Sequence, residues 1–150
     1  MSISFIDQDS YRVIWLVRRL FRALGQNADE RLRDHGVSAA DRAVMEFLYP
    51  DQTLSVPQIA RKYDVSRQHV QVTVNPLIDR GLVELSENPR HKRSPLVRLT
   101  KNGRDLFKTI LKGDEKALRA LFADIPSSDV RVTHKTLQTL LTKTKGETEA

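Results

Sequence analysis

Arg67 and Gln68 lie four and three residues before Gln71, in a stretch whose apolar positions Val70, Val74 and Leu77 recur at helical spacing; Asn75 follows one turn further on. In a helix the apolar residues take one side and the polar ones the other. Glutamine presents a donor and an acceptor side by side, as the major-groove edge of adenine requires, and arginine suits guanine or a phosphate. Arg90, His91, Lys92 and Arg93 form a second set within one short connection, where they would add a positive field near phosphates. A solvated polar face, or a loop kept soluble by charge, would use the same residue types. Position favours nucleic-acid contact, because a tight turn precedes the first set and the basic connection follows it. His69 and Thr73 on the same helix are also candidate contacts, for which a solvated face serves about equally well. Ser55 and Ser66 read as helix caps first and phosphate contacts second, since helix N-termini attract anions.

The elements that must position these residues are legible from period and punctuation. Residues 7–34 predict a long helix carrying Tyr11, Ile14, Trp15, Leu20, Phe21 and Leu24, with Asp7, Asp9 and Ser10 as possible caps and His35-Gly36 at its end. Ser38 opens a second helix that Pro50 stops. Ser55 caps a short helix with Pro57 in its first turn, Tyr63-Asp64-Val65 turns, and Ser66 caps the helix that ends near Gly81. Two helices joined by such a turn have helix-turn-helix spacing. The period then changes: Leu82–Leu85 and Leu96–Leu99 read as paired strands around a charged connection, a hairpin whose Arg98 would either join the DNA contacts or brace the wing. Thr100 caps a long helix through Phe122, Pro126 breaks it, and Ser127 or Ser128 caps a last helix before a frayed polar tail from Lys143. The fold class is mainly α with a small β-hairpin.

Charge and composition narrow the function. The 150 residues carry 25 Lys and Arg against 19 Asp and Glu, a net charge of +6. Between Gly81 and Arg104 stand six basic residues and two acids, so four of those six net charges sit on and beside the hairpin. Cysteine is absent, which excludes disulfides, thiolate nucleophiles and Cys-bound zinc. His35, His69, His91 and His134 are scattered over four elements without metal-site spacing. No phosphate-cradling glycine loop or nucleophile elbow occurs. No apolar run approaches the ~20 residues of a membrane span, and the N-terminus has no signal-peptide pattern. The reading is a cytoplasmic binding protein, not an enzyme, with no cofactor, no metal and no membrane partner.

A helix-turn-helix followed at once by a basic hairpin is a winged helix: the helix fits the major groove and the arm reaches the neighbouring minor groove or backbone. The run Asn88-Pro89-Arg90-His91-Lys92-Arg93-Ser94, with Leu96–Thr100 and Gly103, resembles the wing signature of the MarR family of bacterial transcription regulators, as does the helix order over nearly the whole chain. The resemblance implies a single domain over 1–150. Helical dimerisation regions would cover 1–36 and 104–145, the winged helix 37–103, and a tail 146–150. It implies a homodimer on double-stranded DNA, usually a repressor, often released by a small aromatic effector near the dimerisation helices. Four positions depart from the pattern. Asn88 and His91 stand where the family commonly has Asp, which deprives the wing arginines of their usual partners. Val72 replaces a common Arg, which shifts base reading to its neighbours. Pro76 inside the recognition helix predicts a kink costing up to ~3 kcal/mol.

Effector residues are harder to select. The N-terminal stripe is first of all interface or core. Tyr11 and Trp15 carry polar handles, and Arg12, Arg19 or His35 would suit a carboxylate. Two rivals differ in class: an architectural protein coating DNA without sequence preference, and an adaptor using the winged helix as a protein-docking surface.

Overall fold

The computed structural model describes residues 4–148. After a 3-10 turn at Phe5–Asp7 come α1 (Asp9–Arg33), α2 (Ala39–Leu48), β1 (Leu54–Ser55), α3 (Val56–Tyr63), α4 (Arg67–Asp79), β2 (Val83–Ser86), β3 (Leu96–Leu99), α5 (Lys101–Phe122) and α6 (Ser127–Thr148). Contacts divide the chain into two units, one through Gly113 and one from Asp114 onward. Among the described residues no helix is long and apolar enough to cross a membrane.

Local chemistry explains most boundaries. Ser38 and Ser55 each close a reciprocal capping box, with Asp41 and Gln58. Gly36 has φ +64°, and its N–H reaches the Arg33 carbonyl at 3.0 Å while Val37 N–H reaches Leu32 at 3.2 Å, closing α1. At the other end of α1 the expected acidic or serine cap is not used: Gln8 occupies the cap position without a side-chain bond, and Asp9 and Ser10 lie inside the helix. The last helix likewise starts at Ser127 itself, where the Pro126 carbonyl accepts from Asp129 and Val130. It runs on to Thr148, so residues 143–148 are helical and not a frayed tail; 149–150 lie outside the described residues.

The hairpin belongs to a three-stranded antiparallel sheet in the order β1-β3-β2. The third strand went unpredicted, since two residues are too few to show an alternating pattern. Leu54 pairs with Val97 and Ser55 with Leu96, while Val83, Glu84, Leu85 and Ser86 face Leu99, Arg98, Val97 and Leu96. Val70, Val74 and Leu77 of α4 are fully buried with Met45, Leu48, Ile59, Val83, Val97, Leu99 and Phe107. Each contributes about 1.5–3 kcal/mol of burial. Pro76 does not end α4, which continues to Asp79 with the proline exposed.

In contrast, α1 has a single buried residue, Leu32, and exposes Tyr11, Ile14, Trp15, Leu20 and Leu24, with Phe21 at 78%. In the second unit Leu118, Leu121, Phe122, Val132, Leu137 and Leu141 are exposed.

A bonded corner joins the wing to α5. Thr100 N–H donates to the Leu82 carbonyl at 3.0 Å, Thr100 Oγ1 donates to Gly81 at 2.6 Å, and Gly103 N–H donates to Thr100 Oγ1 at 3.1 Å. A Cβ at position 103 would overlap the Leu82 carbonyl. Gly103→Ala is therefore expected to cost about 3 kcal/mol, seen as a lower urea midpoint at unchanged slope.

Candidate nucleic-acid interface

The helix-turn-helix is set by three local devices. Ser55 Oγ accepts from Gln58 N–H at 3.4 Å while Ser55 N–H donates to Gln58 Oε1 at 2.8 Å. Asp64 takes the left-handed conformation, φ +56°, that ends α3. Ser66 Oγ accepts from His69 N–H at 3.0 Å to open α4. Arg67, Gln68, His69, Gln71 and Asn75 are all exposed, and the Gln71 amide donates to Asn75 Oδ1 at 2.7 Å. The His69 ring lies 6.0 Å from that of Tyr63, at the α3 side of the helix.

Two expected contact residues are placed differently. Thr73 is only 7% exposed and its hydroxyl donates to the His69 carbonyl at 3.0 Å, so it lies on the inward arc beside Val70 and Val74. Ser55 is 5% exposed, committed to its cap and paired in β1. Both hydroxyls are engaged locally, although Ser55 still borders the groove shared by Arg61, Arg67 and Arg90. Ser66 stays exposed.

The wing is held by its main chain rather than by arginine–carboxylate pairs. Asn88 Nδ2 donates to the Ser94 carbonyl at 2.9 Å and Asn88 Oδ1 accepts from Arg90 N–H at 3.1 Å. His91 N–H reaches Asn88 at 3.2 Å, and Ser94 N–H reaches His91 at 3.1 Å. The neutral amide thus fixes a loop whose usual acids are missing. Two nearby acids are taken elsewhere: Glu84 pairs with Arg98 across the hairpin at 2.9 Å, and Asp105 pairs with Lys101 at 2.9 Å, while the exposed Glu87 makes no ion pair with the wing cations. That lysine, hydrogen-bonded and cationic, holds the Asp105 carboxyl below its ordinary pKa. Among the described residues no carboxylate lies within ion-pair distance of Arg90, Lys92 or Arg93, all exposed.

Two open grooves separate helix and wing. One, of about 590 Å³, is bordered by Arg61, Arg67, Arg90, His91 and Gln58; the other, about 480 Å³, by Arg67, Gln68, Gln71, Arg93 and Leu85. Arg67 borders both. Lys92 lies instead on a groove with Leu85, Pro89 and Pro95. Arg61 was missed from the sequence. With Ile59 and Ala60 buried, its exposed position on the short α3 follows from helical phase, which was the available signal.

The N-terminal candidates do not assemble into one pocket. Tyr11, Arg12 and Trp15 line a shallow 280 Å³ depression with Ile6, and the Arg19 guanidinium sits 4.6 Å over the Trp15 ring. His35 lies beyond the opposite end of α1, about 30 Å away by helical rise, and cannot join them within one protomer. Among the described residues no three His, Cys, Asp or Glu side chains cluster as a metal site.

A profile described as MarR family matches residues 35–94, from the turn after α1 through the wing loop. A solved MarR family transcription regulator, SP03579, superposes with a TM-score of 0.83 over 91% of this chain and 90% of its own, at 24% identity. The chain belongs to the MarR family. The uncharacterized protein Rv2011c of Mycobacterium tuberculosis is 36% identical over 97 residues, 65% of this chain and 68% of that one. The uncharacterized HTH-type transcriptional regulator YkoM of Bacillus subtilis is 25% identical over 113 residues, 73% of each chain. The fold is shared with Streptococcus pneumoniae FabT, solved in complex with DNA (TM-score 0.80, 16% identity, 91% and 98% covered). It is shared too with a Staphylococcus aureus MarR solved with salicylate and kanamycin (TM-score 0.81, 16% identity, 87% and 89% covered). This MarR-family protein is accordingly a DNA-binding transcription regulator of winged-helix fold.

For its wing, Asn88→Ala is expected to raise amide exchange at Arg90 about fivefold, the equivalent of one lost hydrogen bond near 1 kcal/mol, with α4 amides unchanged. Hydrogen exchange read by NMR checks it.

Proposed function

We propose that the protein is a homodimeric, sequence-specific repressor that binds a pseudo-palindromic operator. The observation that carries this reading is the juxtaposition of an exposed Arg67–Gln68–Gln71 face with wing cations that no carboxylate neutralises. Gln68 and Gln71 read bases, while Arg67, Arg90 and Arg93 hold phosphates or the minor-groove edge, with His91 and Lys92 adding field and Ser66 marking a helix N-terminus open to a phosphate. The DNA complex of FabT supports this use of the fold.

Dimerisation is supported by α1, a 25-residue helix with one buried residue and an apolar stripe exposed to water. A second copy of the chain covers that stripe and sets two recognition helices on half-sites roughly 10 bp apart. Repression then follows from occupancy of a promoter. The salicylate complex of the Staphylococcus aureus relative supports release by a small aromatic acid, for which Tyr11, Arg12 and Trp15 supply rings and a cation. Release requires that the ligand bind one helix spacing better than the other.

Selection of bound sites from a random duplex library tests the reading: an enriched pseudo-palindrome supports it, and retention without enrichment replaces it with an architectural role. On the selected site, Arg90→Ala is expected to weaken binding and lower the salt slope by about one per protomer, whereas Gln71→Ala changes the base preferred at one position at a cost of about 1–3 kcal/mol. Titrating a panel of aromatic acids into the preformed complex is expected to dissociate it, and unchanged affinity throughout removes the effector half of the proposal.

A further inference from the structure

Val72 is an apolar residue where the helix has no structural use for one. The inward arc of α4 is complete without it, formed by Val70, Thr73, Val74 and Leu77. Val72 lies opposite and is 66% exposed, flanked on the outward face by Gln68, Gln71 and Asn75. In the major groove, the one apolar feature a base pair displays is the C5-methyl group of thymine.

The neighbour of Val72 sharpens the chemistry. Gln71 gives one amide hydrogen to Asn75 at 2.7 Å, which leaves its second amide hydrogen and its Oε1. Those two groups are what adenine N7 and N6 need for a bidentate pair. The outward face therefore offers an adenine reader beside an apolar surface, and an arginine at 72 would have offered a guanine or phosphate contact instead.

We propose that Val72 packs against the C5-methyl of a thymine in each half-site, making it a specificity residue for T·A pairs and not a passive gap in base reading. The inference rests on the reading of α4 as the major-groove helix. It requires only desolvation of one methyl against the valine side chain, with no rearrangement of α4.

The test uses the full chain and the selected operator, with each thymine replaced in turn by deoxyuridine, which removes the methyl and leaves base pairing intact. The expected result is a loss of about fourfold in affinity at one symmetric pair of positions per methyl buried, and no change elsewhere. Val72→Ala is expected to erase that thymine–uracil difference while its thermal unfolding matches the parent; Val72→Thr, which keeps one methyl, retains part of it. A parent protein indifferent to uracil at every position overturns the inference while sequence-specific binding stands. Equal uracil sensitivity in parent and Val72→Ala also overturns it, assigning the methyl to another residue. Absence of any enriched operator overturns the underlying reading and this inference together.

Discussion

Packing of Val70, Val74 and Leu77 beneath α4 fixes the rotation of that helix, and every candidate contact depends on that rotation. Turning α4 by one residue, about 100°, would carry these side chains toward water at about 1.5–3 kcal/mol each. The same turn would bury glutamine amides with no partners in an apolar core. The outward set of Arg67, Gln68, Gln71, Val72 and Asn75 is thus specified by what the opposite side must hide. Thr73 marks the edge of the arc, where a hydroxyl is tolerated because the His69 carbonyl satisfies it at 3.0 Å.

The wing solves a different problem: a loop that concentrates cations must be held without neutralising them. A carboxylate at position 88 would hold the loop and cancel part of its field. Asn88 ties Ser94 and Arg90 through both ends of a neutral amide, while Glu84 and Asp105 pair with Arg98 and Lys101 on the strand and helix behind the tip. Positive charge is thereby left at the tip, where phosphates would approach.

Legibility in the sequence followed the range of the interaction. The α4 face was readable from period, and the caps at Ser38, Ser55 and Ser66 from single residues followed by helix, because both are settled within four residues. The role of Asn88 was not, since its bond to Ser94 spans six residues of irregular loop and looks, in sequence, like a missing acid. Thr73 was misplaced because a polar residue on the margin of a buried arc has the same spacing as one on an exposed face. β1 escaped because its two residues take their meaning from pairing with Val97 and Leu96, more than forty positions away. The N-terminal candidates Tyr11 and His35 carry suitable groups, but the helix expected over 7–34, and found as α1, already sets them at opposite ends.

Release by an effector, as proposed, would need the helix bearing the exposed apolar stripe to act on the helix proposed to read bases. A direct bond exists for this: Arg80, at the C-terminal end of α4, donates from Nη1 to the Gly36 carbonyl at 2.7 Å, 44 residues away. Gly36 is the left-handed residue that ends α1, so the contact joins the last turn of one helix to the last turn of the other. A guanidinium donating to a carbonyl is stronger than a neutral hydrogen bond, and its planar fork fixes direction as well as distance. A displacement of the end of α1 would therefore act on one end of α4, while Ser66 and the turn at Asp64 hold the other. A helix held at both ends tilts when one end moves, and a tilted α4 presents Gln71 and Val72 at a different depth. Under the proposed release, affinity for DNA would then change without any change to the contacting residues, by no more than the ligand's difference in affinity between two positions of α1.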